Sequence, residues 1–196
     1  MIIWTSKAAL VGAACLALAA CDDLAGVGGA QNNGLPVASL ARGAVNLVPP
    51  VGYCVDKRSV RARFALMARC DTLGGGPSFG APLAVITAAT VDQSAIDASI
   101  NEDSETILSR RSSDDLTLLE VNGTPPSPDM RPVFWRAVGQ VGDQIIGLAI
   151  YEGENGAPLG ELAPQMLAET LQRTRARSAV QLSAAQDNSA TTPTKP

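Results

Sequence analysis

The chain has 196 residues, 46% of them hydrophobic and 17% charged, with a formal charge of −4 at pH 7. An acidic balance argues against nucleic acid as a partner, because phosphate binding needs a clustered cationic surface. Histidine is absent, which excludes Ser-His-Asp and Cys-His catalysis, histidine-ligated zinc and histidine-held haem.

The N-terminus carries a single cation, Lys7, followed by a nearly continuous apolar run from Ala8 to Ala20. A lone cation, an apolar stretch and small residues form the secretory signal pattern. The run is shorter than the roughly 20 residues a spanning helix needs. It ends in Leu18-Ala19-Ala20-Cys21, which resembles the lipobox of bacterial lipoproteins at every position. The resemblance covers the first 21 residues. It implies removal of signal peptide 1–20, a diacylglycerol on Cys21 and acylation of the new amine. Three acyl chains hold a protein on a bilayer stably, at about 0.8 kcal/mol per buried CH₂. The protein is then lipid-anchored in the bacterial cell envelope and faces the periplasm. Asp22 and Asp23 follow, and in enteric lipoproteins an Asp there favours the inner membrane. The other reading is an ordinary signal peptide with Cys21 a plain thiol, a liability in an oxidising compartment.

Composition divides the rest into a flexible tether to residue 43, one domain over 44–182 and a disordered tail over 183–196. The tether reading rests on Gly28-Gly29-Ala30-Gln31-Asn32-Asn33-Gly34, a run without periodicity. The tail from Ser183 has too few large apolar groups to offset ordering entropy.

Within the domain, Val45 to Val48 is a short strand closed by Pro49-Pro50. Gly52 to Val55 is a second. From Arg63 to Cys70, Phe64, Leu66, Ala68 and Cys70 share one face, which reads as the core face. Leu83 to Val91 reads as a central strand, and Leu116 to Val121 and Val133 to Val141 as further strands. Val141-Gly142-Asp143-Gln144 is a hairpin turn leading to Ile145 to Tyr151. A shorter helix is predicted from Asn101-Glu102-Asp103-Ser104 to Arg110-Arg111, with charges that complement its dipole. Pro164 opens a C-terminal helix with Met166, Leu167, Thr170, Leu171 and Thr174 on one stripe. Strand runs with hairpins and segregated helices give an α+β domain, a largely antiparallel sheet packed against two helices. This element order resembles the PsbP-like layout.

Three cysteines lie beyond the signal: Cys21, Cys54 and Cys70. With Cys21 lipidated, Cys54 and Cys70 remain as a pair on neighbouring strands, in a compartment that oxidises thiols. Their spacing is neither CxxC nor that of a thiolate metal site. A disulfide at the core edge is expected; two reduced core cysteines or a redox-active pair are the alternatives.

Several clusters invite chemistry but have plainer explanations. Gly74-Gly75-Gly76 lacks the lysine of a phosphate loop and reads as an inter-strand loop. Lys57, Arg58, Arg61, Arg63 and Arg69 form a basic cluster able to meet an anion or a lipid head group, or simply to be solvated. Glu102, Asp103, Glu105, Asp114 and Asp115 lack the order of a calcium loop and read as helix-start and loop acids. Trp135 and Tyr151 are candidates to line a ligand site, but Trp135 is in phase with Val133 and Ala137 and reads as core. Asn122-Gly123-Thr124 reads as a turn before Pro125-Pro126. No catalytic, cofactor-binding or metal-ligating residue is assigned, and no cofactor is implied. The expectation is a non-catalytic binding or accessory lipoprotein, with the membrane and an envelope protein as partners. The alternatives are a histidine-free enzyme using carboxylates or a metal, and a structural surface protein.

Overall fold

The structure is a computed structural model that describes residues 32–91, 105–113 and 115–190, with side chains to residue 181. Cys21, the signal segment and residues 22–31 of the tether lie outside the described residues, as do Glu102, Asp103 and Asp114.

Among the described residues ten strands form in chain order. They are β1 (Gly34–Leu35), β2 (Ala38–Leu40), β3 (Val45–Leu47), β4 (Tyr53–Asp56) and β5 (Phe64–Arg69). Then come β6 (Ala84–Val91), β7 (Thr106–Ser113), β8 (Leu116–Asn122), β9 (Val133–Val141) and β10 (Gln144–Glu152). Eight of them make one sheet in the order β1-β4-β5-β6-β10-β9-β8-β7, and β2 pairs with β3 in a separate ribbon. All pairings are antiparallel. The C-terminal helix runs from Leu162 to Ala190. Among the described residues the fold is therefore a largely antiparallel sheet packed against the C-terminal helix.

The register lines up apolar side chains across the sheet. Val55 faces Met67, Met67 faces Ile86, Ile86 faces Ile150 and Ile150 faces Trp135. All five are buried in the main core. Because side chains alternate, a one-residue slip would send this row to the other face, so burial itself fixes the register. The C-terminal helix contributes Ala163, Met166, Leu167 and Leu171 to the same core. Gly139 makes room for it, since a Cβ there would collide with Leu171. The β2–β3 ribbon adds Ala38, Leu40, Val45 and Leu47 beside the helix.

Four expectations change. Thr106–Ser113 is a strand, not part of a shorter helix; residues 101–104 of that predicted helix lie outside the described residues. Of the charges read as dipole partners, Arg111 instead pairs with Glu161 at 2.6 Å, and β-branched Thr106 and Ile107 suit a pleated surface. Residues 34–43, assigned to the tether, form β1, β2 and a turn, with Leu40 fully buried. The alternation of Ala38 and Leu40 outweighs the glycines before it. The helix continues past Ser183 to Ala190, because alanine-rich sequence propagates a helix once it is nucleated. Finally, Phe64, Leu66, Ala68 and Cys70 do share a face, but Ala65 and Met67 are the residues in the main core. Cys70 joins a small separate cluster with Cys54 and Leu73, against which Ala68 packs.

Candidate functional site

Cys54 and Cys70 form a disulfide with Cα atoms 4.8 Å apart. Two glycines let the chain close over it. A Cβ on Gly75 would stand 3.0 Å from the Cys54 Sγ, and one on Gly34 would stand 2.9 Å from the Gly75 Cα. Gly74-Gly75-Gly76 is thus a cover for the bridge, with Gly75 N–H donating to the Cys70 carbonyl at 2.8 Å.

Beside the bridge, two loops frame a cleft of about 260 Å³. The first loop is Pro49-Pro50-Val51-Gly52. Tyr53 N–H donates to the Pro50 carbonyl at 3.1 Å, and the Gly52 carbonyl accepts from Cys70 N–H at 3.0 Å. Gly52 has φ +84°, and a Cβ there would collide with the Ser78 carbonyl oxygen. Only glycine fits that backbone. The second loop follows Cys70. Ser78 is buried; its hydroxyl accepts from Asp71 N–H at 3.0 Å, and its carbonyl accepts from Ala81 N–H at 2.8 Å. Between them Phe79 is 78% exposed with φ +47°. A bulky residue at positive φ is strained, and its ring gains little burial in return.

The walls are Pro36, Pro49, Pro50 and Pro77, with Val51, Tyr53 and Phe79. Val51 is itself 59% exposed. Polar groups at the cleft are already engaged. The Tyr53 hydroxyl donates to the Pro82 carbonyl at 2.5 Å, and burial pushes its pKa up to about 12. It is a donor, not a base. Arg173 at the rim pairs with Glu169 at 3.2 Å, and that carboxylate accepts from Val51 N–H. Among the lining residues there is no carboxylate, and both cysteines are oxidised. This arrangement can seat an apolar group against a preformed wall; it has no group poised for proton transfer.

The remaining sequence candidates disperse. The basic cluster splits between the two ends of β5. Lys57, Arg58, Arg61 and Arg63 sit at the β4–β5 hairpin, whereas Arg69 pairs with Asp71 near the disulfide. Arg69 and Ser78 hold the Asp71 carboxyl at about 2, below its usual range. Glu105 pairs with Arg136 at 2.6 Å and Asp115 with Arg175 at 2.5 Å, so these acids do not converge. Among the described residues no three His, Cys, Asp or Glu side chains gather as a ligand set. Trp135 is in the main core, as its phase requires, with the Arg111 guanidinium 4.9 Å from its ring centroid. Arg111 in turn pairs with Glu161 at 2.6 Å. Tyr151 lies on the opposite face of the sheet, 4.8 Å from the Phe134 ring. Gly123 closes a turn through its N–H to the Pro132 carbonyl at 2.9 Å.

Sequence reasoning missed the cleft. Its signal was present in two loops: Pro49-Pro50 and Pro77-Ser78-Phe79-Gly80, the second with a lone large aromatic among turn formers. Compared with known proteins, the chain matches no family model and no curated protein.

Proposed function

We propose that this chain is a bacterial envelope lipoprotein, anchored through lipid on Cys21 and facing the periplasm, with Asp22 and Asp23 after the cysteine favouring the inner membrane. Its role is that of a non-catalytic binding or accessory protein for another envelope component. The observation that carries the binding role is the cleft beside the disulfide, with Phe79 held exposed at positive φ. Strain at an exposed aromatic with little internal burial is usually kept for a contact made elsewhere. The Cys54–Cys70 bridge supports an oxidising compartment. A PsbP-like layout is our preferred fold reading, supported by the antiparallel sheet covered by the C-terminal helix.

The test places a photoreactive phenylalanine analogue at position 79 of the full chain in living cells. A control carries it at exposed Val180 on the helix. A discrete crosslinked species at 79, absent at 180 and reduced by Val51→Asp, supports partner binding at the cleft. Equal or no crosslinking at both positions contradicts it.

A further inference from the structure

The β4–β5 hairpin carries four cations, Lys57, Arg58, Arg61 and Arg63, of which Arg63 donates from Nε to Thr90 Oγ1 at 3.3 Å. This is a concentrated positive edge on a chain whose overall charge is negative. Arg58 pairs with Asp56 at 3.1 Å yet stays 67% exposed. The Arg61 guanidinium donates to the carbonyls of Arg58 and Val60 at 2.8 and 2.9 Å, so it is fixed in place without pairing with a carboxylate among the described residues. A fifth cation joins from another element. Ala41 N–H donates to the Ala62 carbonyl at 2.7 Å, which brings exposed Arg42 beside the hairpin. Arg42 and Ala41 both have left-handed backbone, at φ 57° and 49°. Two successive strained residues that deliver an arginine to solvent have no evident internal return.

The chain arrives at this same edge. Lys57 N–H donates to the Asn33 carbonyl at 2.8 Å, and Asn33 N–H donates to the Leu73 carbonyl at 2.9 Å. From Cys21 to Asn32 the polypeptide can span at most about 40 Å. If Cys21 carries lipid, the basic edge is held within that distance of the bilayer. Cations next to a lipid attachment point meet the negative surface potential of anionic head groups, which acts within about a Debye length.

We propose that the edge formed by Arg42 and the Lys57–Arg63 hairpin docks on an anionic bilayer. It orients the domain with the cleft, at the opposite end of β4 and β5, turned away from the lipid. The proposal rests on the anchor reading for its geometry, but its chemistry is tested separately. Lysines are scarce: beyond the signal segment only Lys57 and Lys195 remain, so Lys195 is an internal control.

The processed full chain is placed on vesicles of phosphatidylcholine alone, or with roughly a third phosphatidylglycerol. A water-soluble acylating reagent then reads Lys57 against Lys195 by mass spectrometry. The expected result is a drop of about threefold or more in Lys57 labelling on the anionic vesicles only. It should be reversed by high salt and by the double variant Arg42→Asn/Arg58→Gln, whose fold is checked by thermal melting. Equal Lys57 labelling on both vesicles overturns the proposal. So does protection by inorganic phosphate without vesicles, which would mark a small-anion site, or protection by polyglutamate but not by vesicles. Flotation with the phosphatidylcholine vesicles reports the anchor independently. Failure to float there, with Lys57 still protected on anionic vesicles, removes the anchor and leaves the docking edge standing.

Discussion

The Ser178 hydroxyl accepts a hydrogen bond from the Asn46 backbone N–H at 2.9 Å, joining residues 132 positions apart. One turn earlier, Thr174 Oγ1 accepts from Val48 N–H at 3.1 Å. The C-terminal helix thus satisfies the free edge of β3 with two side-chain hydroxyls. The Ser178 hydroxyl also donates back to the Thr174 carbonyl at 2.8 Å. Small polar residues on the buried stripe replace the missing neighbour strand, and the ribbon cannot leave the core without exposing them.

Ser178→Ala should therefore destabilise the domain by about 1–3 kcal/mol, the cost of leaving a buried N–H unpaired. Thr174→Val should act similarly. Urea unfolding with an unchanged slope would show it. A shift below a few tenths of a kcal/mol would mean that water replaces the hydroxyl.

The bridge closes a loop with a sequence separation of 16, which corresponds to roughly 3 kcal/mol of constraint on the unfolded chain. Cys54→Ala/Cys70→Ala should lower stability by about that amount while membrane attachment stays as in the parent. Two free thiols in the denatured, unreduced protein would contradict the bridge. Gly75→Ala is the companion variant, because its Cβ would press on the Cys54 sulfur. It should lose stability in the oxidised protein.

Phe79→Gly separates stability from binding. Glycine relieves about 1–2 kcal/mol of positive-φ strain and costs about 0.5–1 kcal/mol in chain entropy. The melting midpoint should hold or rise slightly, because little burial is lost. Partner capture through the cleft should fall. A clear drop in midpoint would show that the ring packs in solution more than its 78% exposure indicates.

How far the fold could be read from sequence depended on where its pattern was local. β9 and β10 alternate cleanly around a glycine turn, and the helix stripe through Met166, Leu167 and Leu171 is regular. The pairing of β10 with β6 joins distant segments and leaves no local trace. β7 was misread because Glu105 and Arg111 mimic dipole partners, while their true partners, Arg136 and Glu161, are remote in sequence. The phase of β5 was legible but its face was not, since Phe64 is larger than Ala65 yet lies outside the main core. The disulfide was legible by elimination. The cleft was not, because it exists only where two proline loops from different connections meet.

Both tyrosines, Tyr53 and Tyr151, are raised in pKa by burial, Tyr53 to about 12. A phenol with a folded pKa above its unfolded value of about 10 binds its proton more tightly when folded. Its contribution is intact below pH 10 and is lost as pH rises from 10 toward 12. In the folded protein the phenolate absorbance should therefore rise above pH 10, displaced toward about 12 for Tyr53. Tyr53→Phe should shallow that alkaline limb, at the cost of the hydrogen bond to Pro82. A phenolate titration centred at pH 10 in the folded protein would contradict this.

The anchor underlies the whole account, and intact-mass analysis of the protein recovered from the membrane fraction tests it most directly. The predicted result is a chain that begins at Cys21 and carries the mass of a diacylglycerol plus one amide-linked acyl chain. It should shift to the soluble fraction or remain unprocessed in Cys21→Ala. A mature chain with an unmodified Cys21, or one that retains residues 1–20, would contradict the account.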